Sequence, residues 1–165
     1  MIIDTIGRRA VAGVLSAFAL FAASAHAEGV GHPPEALYGA SVNGVATALE
    51  GRCTTINIRQ IDPPQVPGAT TQAQIDCDGY GYFGAPRLAE FVFADDELLL
   101  IWILTEKSEE AALIDAFKAE YGEPTHDTDG MTAFANNRAA VRKDVPEALY
   151  YSAAIADLVR ARFEQ

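Results

Sequence analysis

The chain has 165 residues, half of them hydrophobic, with 23 acidic against 12 basic side chains and a net charge of −11. That length suits one domain with a real core. So acidic a surface repels nucleic acid and anionic lipid; it points to solubility or to a basic partner.

Residues 1–27 read as a secretory signal peptide, outside the fold. Arg8 and Arg9 form a positive start, Ala10 to Ala23 an apolar run too short to span a membrane, and Ala25-His26-Ala27 a small-residue cleavage site. Glu28 rather than Cys follows the cut, which argues against a lipid anchor. The Arg8-Arg9 pair is followed by Ala10-Val11-Ala12 and lacks the bulky apolar residue of twin-arginine signals, which favours the general route. The expected location is periplasmic or secreted. Losing Asp4, Arg8 and Arg9, a net +1, takes the charge from −11 to −12. No later stretch is long enough for a membrane-spanning helix.

Glu28 to Leu37, with two glycines and two prolines, reads as a flexible lead-in (28–37), and 38–165 as a single α+β domain. Ser41 is placed to cap a helix whose Val42, Val45, Ala46 and Leu49 share one face and which Gly51 stops. Cys53 to Ile61 reads as a strand, Asp62 to Gly68 as a proline-rich loop, and Thr70 to Cys77 as the return strand. Two cysteines in an exported chain imply a Cys53–Cys77 disulfide. Simple pairing about the loop sets the cysteines opposite each other, but sets Ile56 and Ile58 against Gln74 and Gln72. Either a bulge or a diagonal disulfide is therefore expected.

Asp78-Gly79 marks a turn, and Tyr80 to Phe83 a short strand. Arg87 to Leu104 is the centre of the chain and reads as a β-hairpin. Its first arm alternates, with Ala89, Phe91 and Phe93 on one side; Asp95-Asp96 lies in the turn. The second arm, Leu98 to Leu104, is apolar throughout, as in a central strand covered on both faces. A dimer partner is one candidate for the second cover. Ser108 is expected to cap a helix with Leu113, Ile114, Phe117 and Tyr121 inward, ended by Gly122 and Pro124. Thr125 to Gly130 is an acidic loop. Asn136-Asn137 reads as the tight turn of a hairpin, and Leu149 to Tyr151 as a short strand. A last helix from Ser152 has Ile155, Leu158 and Val159 inward. The string predicts an α+β fold: a meandering antiparallel sheet with two to three helices mainly on one face and one disulfide. No internal repeat stands out.

Four marks occur in order: Gly39-x-Ser41 opening a helix, cysteine-bearing strands, Phe91-Val-Phe93-Ala-Asp95-Asp-Glu-Leu98 over a hairpin, and Tyr121-Gly122-Glu123-Pro124 ending a helix. Together they resemble small uncharacterised periplasmic α+β proteins of Proteobacteria. In general shape the chain is similar to SmpA/OmlA-like and β-lactamase-inhibitor-like domains. It departs from the SmpA/OmlA-like lipoproteins in lacking the acylated cysteine. The resemblance implies a binding or accessory module rather than a catalyst.

The residues able to carry chemistry point the same way. Ser41, Ser108 and Ser152 all stand at helix starts, and none lies in a G-x-S-x-G elbow. The cysteines are expected to bond each other, which leaves no thiolate. His126, Asp127 and Asp129 form the one loop of mixed polar chemistry. It departs from a calcium loop, because its glycine comes early and its twelfth position is Arg138. Asp95, Asp96 and Glu97 sit on a wet hairpin tip, unsuited to a raised pKa. Tyr80, Tyr82 and Phe83, spaced by Gly81, read as an exposed contact patch for a ligand or partner. Trp102 reads as core. No catalytic residue, metal site or cofactor is indicated. The expected function is a non-catalytic binding or accessory module acting on an envelope protein or small molecule. The alternative is a small metal- or ligand-dependent enzyme using the His126 loop.

Overall fold

The computed structural model describes residues 29–163. The expected signal peptide lies outside the described residues. Eight strands form one antiparallel sheet: β1 (Thr55–Gln60), β2 (Gln72–Tyr82), β3 (Ala85–Ala94), β4 (Glu97–Leu104), β5 (His126–Asp127), β6 (Met131–Phe134), β7 (Ala139–Arg142) and β8 (Glu147–Tyr151). Their order is β1-β2-β3-β4-β8-β7-β6-β5. Two four-stranded meanders therefore meet at the antiparallel β4–β8 seam. One helix precedes each meander: α1 (Val42–Ala48) before β1 and α2 (Glu110–Tyr121) before β5. The topology is thus one helix-plus-four-strand unit repeated about a half turn normal to the sheet, although no sequence repeat is visible.

Alternation along the central hairpin decides which face is buried. Ala89, Phe91 and Phe93 of β3 and Ile101 and Ile103 of β4 lose all solvent exposure beneath Val45 and Leu49 of α1 and Leu113 and Phe117 of α2. The opposite parity of β4, Leu100 and Trp102, faces a second and smaller core. That core contains Ala133, Ala140, Leu149 and Tyr151, and is covered by α3 (Ala156–Phe163) through Val159 and Phe163. The cover on the second face thus comes from the same chain.

The hairpin tip is structural. Asp95 and Asp96 both have positive φ, 50° and 65°, the geometry of a two-residue turn that matches strand twist. Asp95 Oδ1 accepts from the amides of Thr70 and Thr71, and Asp96 Oδ1 from that of Val42 at the start of α1. Ser41 Oγ accepts from Gly44 N at 3.2 Å, as expected of the cap.

Five local expectations are corrected. Asp78-Gly79 is not a turn, since β2 runs on to Tyr82 and its register with β3 shifts between Asp78 and Tyr80. Gly79 forms this bulge with φ +77°, and a Cβ there would lie 2.3 Å from Thr54 Oγ1. The chain reverses instead at Phe83-Gly84. Ser108 does not cap α2: it lies inside a 3-10 turn, Lys107–Glu109. There the Glu109 carboxylate accepts from both Glu106 N and Arg87 Nη2. In the β6–β7 hairpin Arg138, not an asparagine, is left-handed, at φ 52°. Leu158 is 40% exposed because α3 is entered through another 3-10 turn, which turns Ile155, Val159 and Phe163 inward.

The fifth correction concerns residues 29–37, which pack onto the sheet rather than forming a loose lead-in. Val30 and Glu35 are buried. The Val30 carbonyl accepts from Tyr121 OH at 2.8 Å and Tyr150 OH at 2.6 Å, and His32 Nε2 donates to Asn137 O. Of the two routes open for the disulfide, the diagonal one occurs. Ile56 pairs with Cys77 in an unbroken ladder, and Cys53, three residues earlier, bonds to Cys77 across a Cα separation of 5.3 Å.

Candidate functional site

The residues singled out from sequence do not gather in one place. Tyr80 and Tyr82 are not an exposed patch: they are 6% and 4% exposed, beneath the lead-in. Their hydroxyls are occupied. Tyr80 donates to Glu35 Oε2 at 2.7 Å, and Glu35 also pairs with Arg52. Tyr82 and Tyr150 hydroxyls lie 2.7 Å apart; because Tyr150 gives its proton to Val30 O, Tyr82 donates to Tyr150. Burial pushes the Tyr82 and Tyr150 hydroxyls well above the usual tyrosine range, and that of Tyr121 to about 12. Phe83 is half-buried in the β2–β3 turn.

His126 and Asp127 are consecutive residues of an edge strand, so their side chains leave opposite faces. His126 lies against Phe163, with ring centres 5.9 Å apart, and its Nδ1 is 3.1 Å from Thr125 Oγ1. Asp127 Oδ1 accepts from Thr132 Oγ1 and Lys143 Nζ; the lysine bond, then the threonine bond, holds its carboxyl below the usual range. Asp129 is exposed in the following turn. Among the described residues, no three His, Cys, Asp or Glu side chains are grouped to hold a metal ion. No described histidine hydrogen-bonds a serine. Ser152 Oγ is buried without a partner, and Ser41 is used as a cap.

What the sequence reading missed is a groove of about 540 Å³ on the second face of the sheet. Its floor is a cross-strand row. Val92 stands opposite Leu100, and Trp102 lies between Glu90 on β3 and Leu149 on β8. One wall is the loop at Gln65, Val66 and Pro67. That loop is pinned by the buried Gln72 side chain, whose Oε1 accepts from Gln65 N at 2.7 Å and Val66 N at 2.9 Å. The other wall is Ile155 of the preceding 3-10 turn with Leu158, Val159 and Phe163 of α3. Leu100 and Trp102, at the middle of the sheet, remain partly exposed between the two walls.

The polar groups round the groove are largely committed to one another. The Arg142 guanidinium lies 5.9 Å from the Trp102 ring centre, bonds Asp144 through Nε and Nη2, and reaches Glu147 at 3.2 Å. Arg142 holds the Asp144 carboxyl down at about 2, while desolvation lifts that of Glu147 against the pull of Arg142. Arg59 pairs with Asp76 at 2.8 Å and with Glu90 at 3.8 Å. The arrangement therefore offers apolar and aromatic surface, with neutralised charge at its margins. It brings no nucleophile next to a base. Comparison with known protein families, with curated proteins and with solved structures finds no match.

Proposed function

We propose that this chain is a non-catalytic binding module of the cell envelope, and that the groove over β4 is its contact surface. One observation carries the reading: Leu100 and Trp102 stay partly open at the centre of the sheet, between a pinned loop and α3. On the opposite face of β3 and β4, Phe91, Phe93, Ile101 and Ile103 are fully sealed. A mostly apolar groove whose marginal polar groups are already paired with one another suits an apolar or aromatic group of an envelope protein or small molecule. The envelope location rests on the leader at residues 1–27 and on the disulfide, which fits an oxidising compartment.

Trp102 is the single tryptophan, so its fluorescence reports on the groove floor without labelling. The test places a photo-crosslinking residue at Leu158, on the groove wall, or at Asp115, on α2, in cells making the full chain. Adducts from Leu158 alone, with Trp102 shielded from acrylamide when the captured species is added back, are the expected result. Adducts from Asp115 alone, or none that shield Trp102, overturn the reading.

A further inference from the structure

We propose that the outer edge of β1 pairs antiparallel with the same edge of a second copy of this chain, about a two-fold axis at Asn57. The inference is independent of the groove, which lies on a sheet face.

The two ends of the sheet are treated differently. One ends in β5, only two residues long, after Pro124 and with carboxylates at Asp127 and Asp129. Shortness, proline and charge are the usual protections of an edge. The other ends in β1, six residues paired without a break to β2, from Thr55↔Asp78 to Gln60↔Ala73. It contains no proline, no lysine and no bulge. Its one charge, Arg59, is held on the second face by Asp76 and Glu90. Among the described residues no strand lies beyond it.

The backbone decides what fits there. Ile61 N donates to Gln72 O at 2.8 Å, one step beyond the Gln60↔Ala73 pair. Bonding alternates along an antiparallel ladder, so Thr55, Asn57 and Arg59 turn their amides and carbonyls to β2, while Ile56, Ile58 and Gln60 turn theirs outward. The occupant is therefore an extended strand. The side chains favour a second copy. With Asn57 facing its symmetry mate, Ile56 falls opposite the partner's Ile58 at two equivalent hydrogen-bonded positions, on the face that carries α1 and α2. On the other face Arg59 falls opposite Thr55, so no like charges meet. Ile58, 46% exposed in the described chain, gains an apolar neighbour. A two-fold contact of this kind is closed and covers both long edges without growing into a fibre. A six-residue edge contact buries less than the ~1,200 Å² of a standard interface, and the net charge of −11 opposes approach. The dimer is therefore weak and is favoured by salt, which screens the repulsion.

The geometry makes a position-specific test. At the axis, the two Asn57 Cα atoms form a non-hydrogen-bonded pair about 4.5 Å apart, within disulfide range. The corresponding pairs at Thr55 and Gln60 lie several residues out of register. Mild oxidation of the exported, disulfide-intact chain carrying Asn57→Cys is expected to give a covalent dimer while Thr55→Cys and Gln60→Cys stay monomeric. Sedimentation equilibrium of the unsubstituted chain is expected to show a dimer fraction rising with concentration and lost in Ile58→Lys. Equal cross-linking at all three positions, no cross-linking at Asn57→Cys, a dimer that survives Ile58→Lys, or a monomer at every concentration overturns the proposal.

Discussion

Single residues carry constraints that the composition hides, and Gly79 shows two of them at once. Its φ of +77° lies in the left-handed region, and its missing side chain leaves room for Thr54, whose Oγ1, Cβ and N would lie 2.3, 3.1 and 3.3 Å from an added Cβ. Gly84 has nearly the same backbone angle, +74°, but nothing within 4 Å. The pair separates strain from collision. Gly84→Ala is expected to cost about 1 kcal/mol, the ordinary penalty for a side chain at positive φ. Gly79→Ala adds the clash with Thr54, whose backbone amide is itself held by Asp78 O, and is expected to cost about 3 kcal/mol. Urea unfolding midpoints of the two variants check this. Equal losses would mean that Thr54 moves aside freely and that the bulge tolerates a Cβ.

Elements were legible in the sequence where the signal was periodic and local. The alternation of Ala89, Phe91 and Phe93 and the 3.6-residue face of Val45 and Leu49 decide burial as read, whereas the apolar run from Leu98 is sealed on one side only: Leu100 and Trp102, expected to be covered, stay partly open. The mismatch of Ile56 and Ile58 with glutamines was enough to require a bulge or a diagonal bridge, and the ladder chose the bridge. The failures came from partners distant in sequence. Gly-spaced tyrosines look alike whether exposed or buried; what buries Tyr80 and Tyr82 is the segment at Val30 and Glu35, more than 40 residues away. The groove was invisible because β4–β8 pairing brings together its loop wall and α3, nearly 90 residues apart. The diagonal disulfide fixes the least buried strand, β1, to the core through the fully buried Cys77. It closes a separation of 24 residues, worth about 3.5 kcal/mol as lost freedom of the unfolded chain. The Cys53→Ala, Cys77→Ala double variant is expected to lose about 3 kcal/mol in guanidinium unfolding. A loss under about 1 kcal/mol would mean that the unfolded chain keeps this hairpin closed without the bridge.

Across the whole molecule, the two ends of the pH scale act through different groups. On the acid side, Glu109, Asp127 and Asp144 have carboxyls held low by Arg87, Lys143 and Arg142 respectively. Their stabilisation is present above the ordinary carboxylate values and is lost as pH falls below these toward the lowered folded ones. Glu147, raised by desolvation, works in the opposite sense. The lowered carboxylates lie near the surface, so their part is small. On the alkaline side, Tyr82 and Tyr150 are raised by burial and share one hydrogen-bond chain to Val30 O, where Tyr121, raised to about 12, also donates. A tyrosine raised in the folded state contributes stability that is fully present below the unfolded value of about 10 and is lost as pH climbs above it. Each such residue removes about 1.4 kcal/mol per pH unit in that window, and three acting together exceed any term on the acid side. Stability is therefore expected to hold through neutral pH and to fall steeply from about pH 10. The tyrosinate absorbance of these three should then appear with unfolding, not before it. Paired Tyr82→Phe and Tyr150→Phe substitutions lower the starting stability, because the Val30 carbonyl loses a donor, but they flatten the alkaline slope. If all six tyrosines ionise near pH 10 while the fold stays intact, the hydroxyls reach solvent and the lead-in does not seal them.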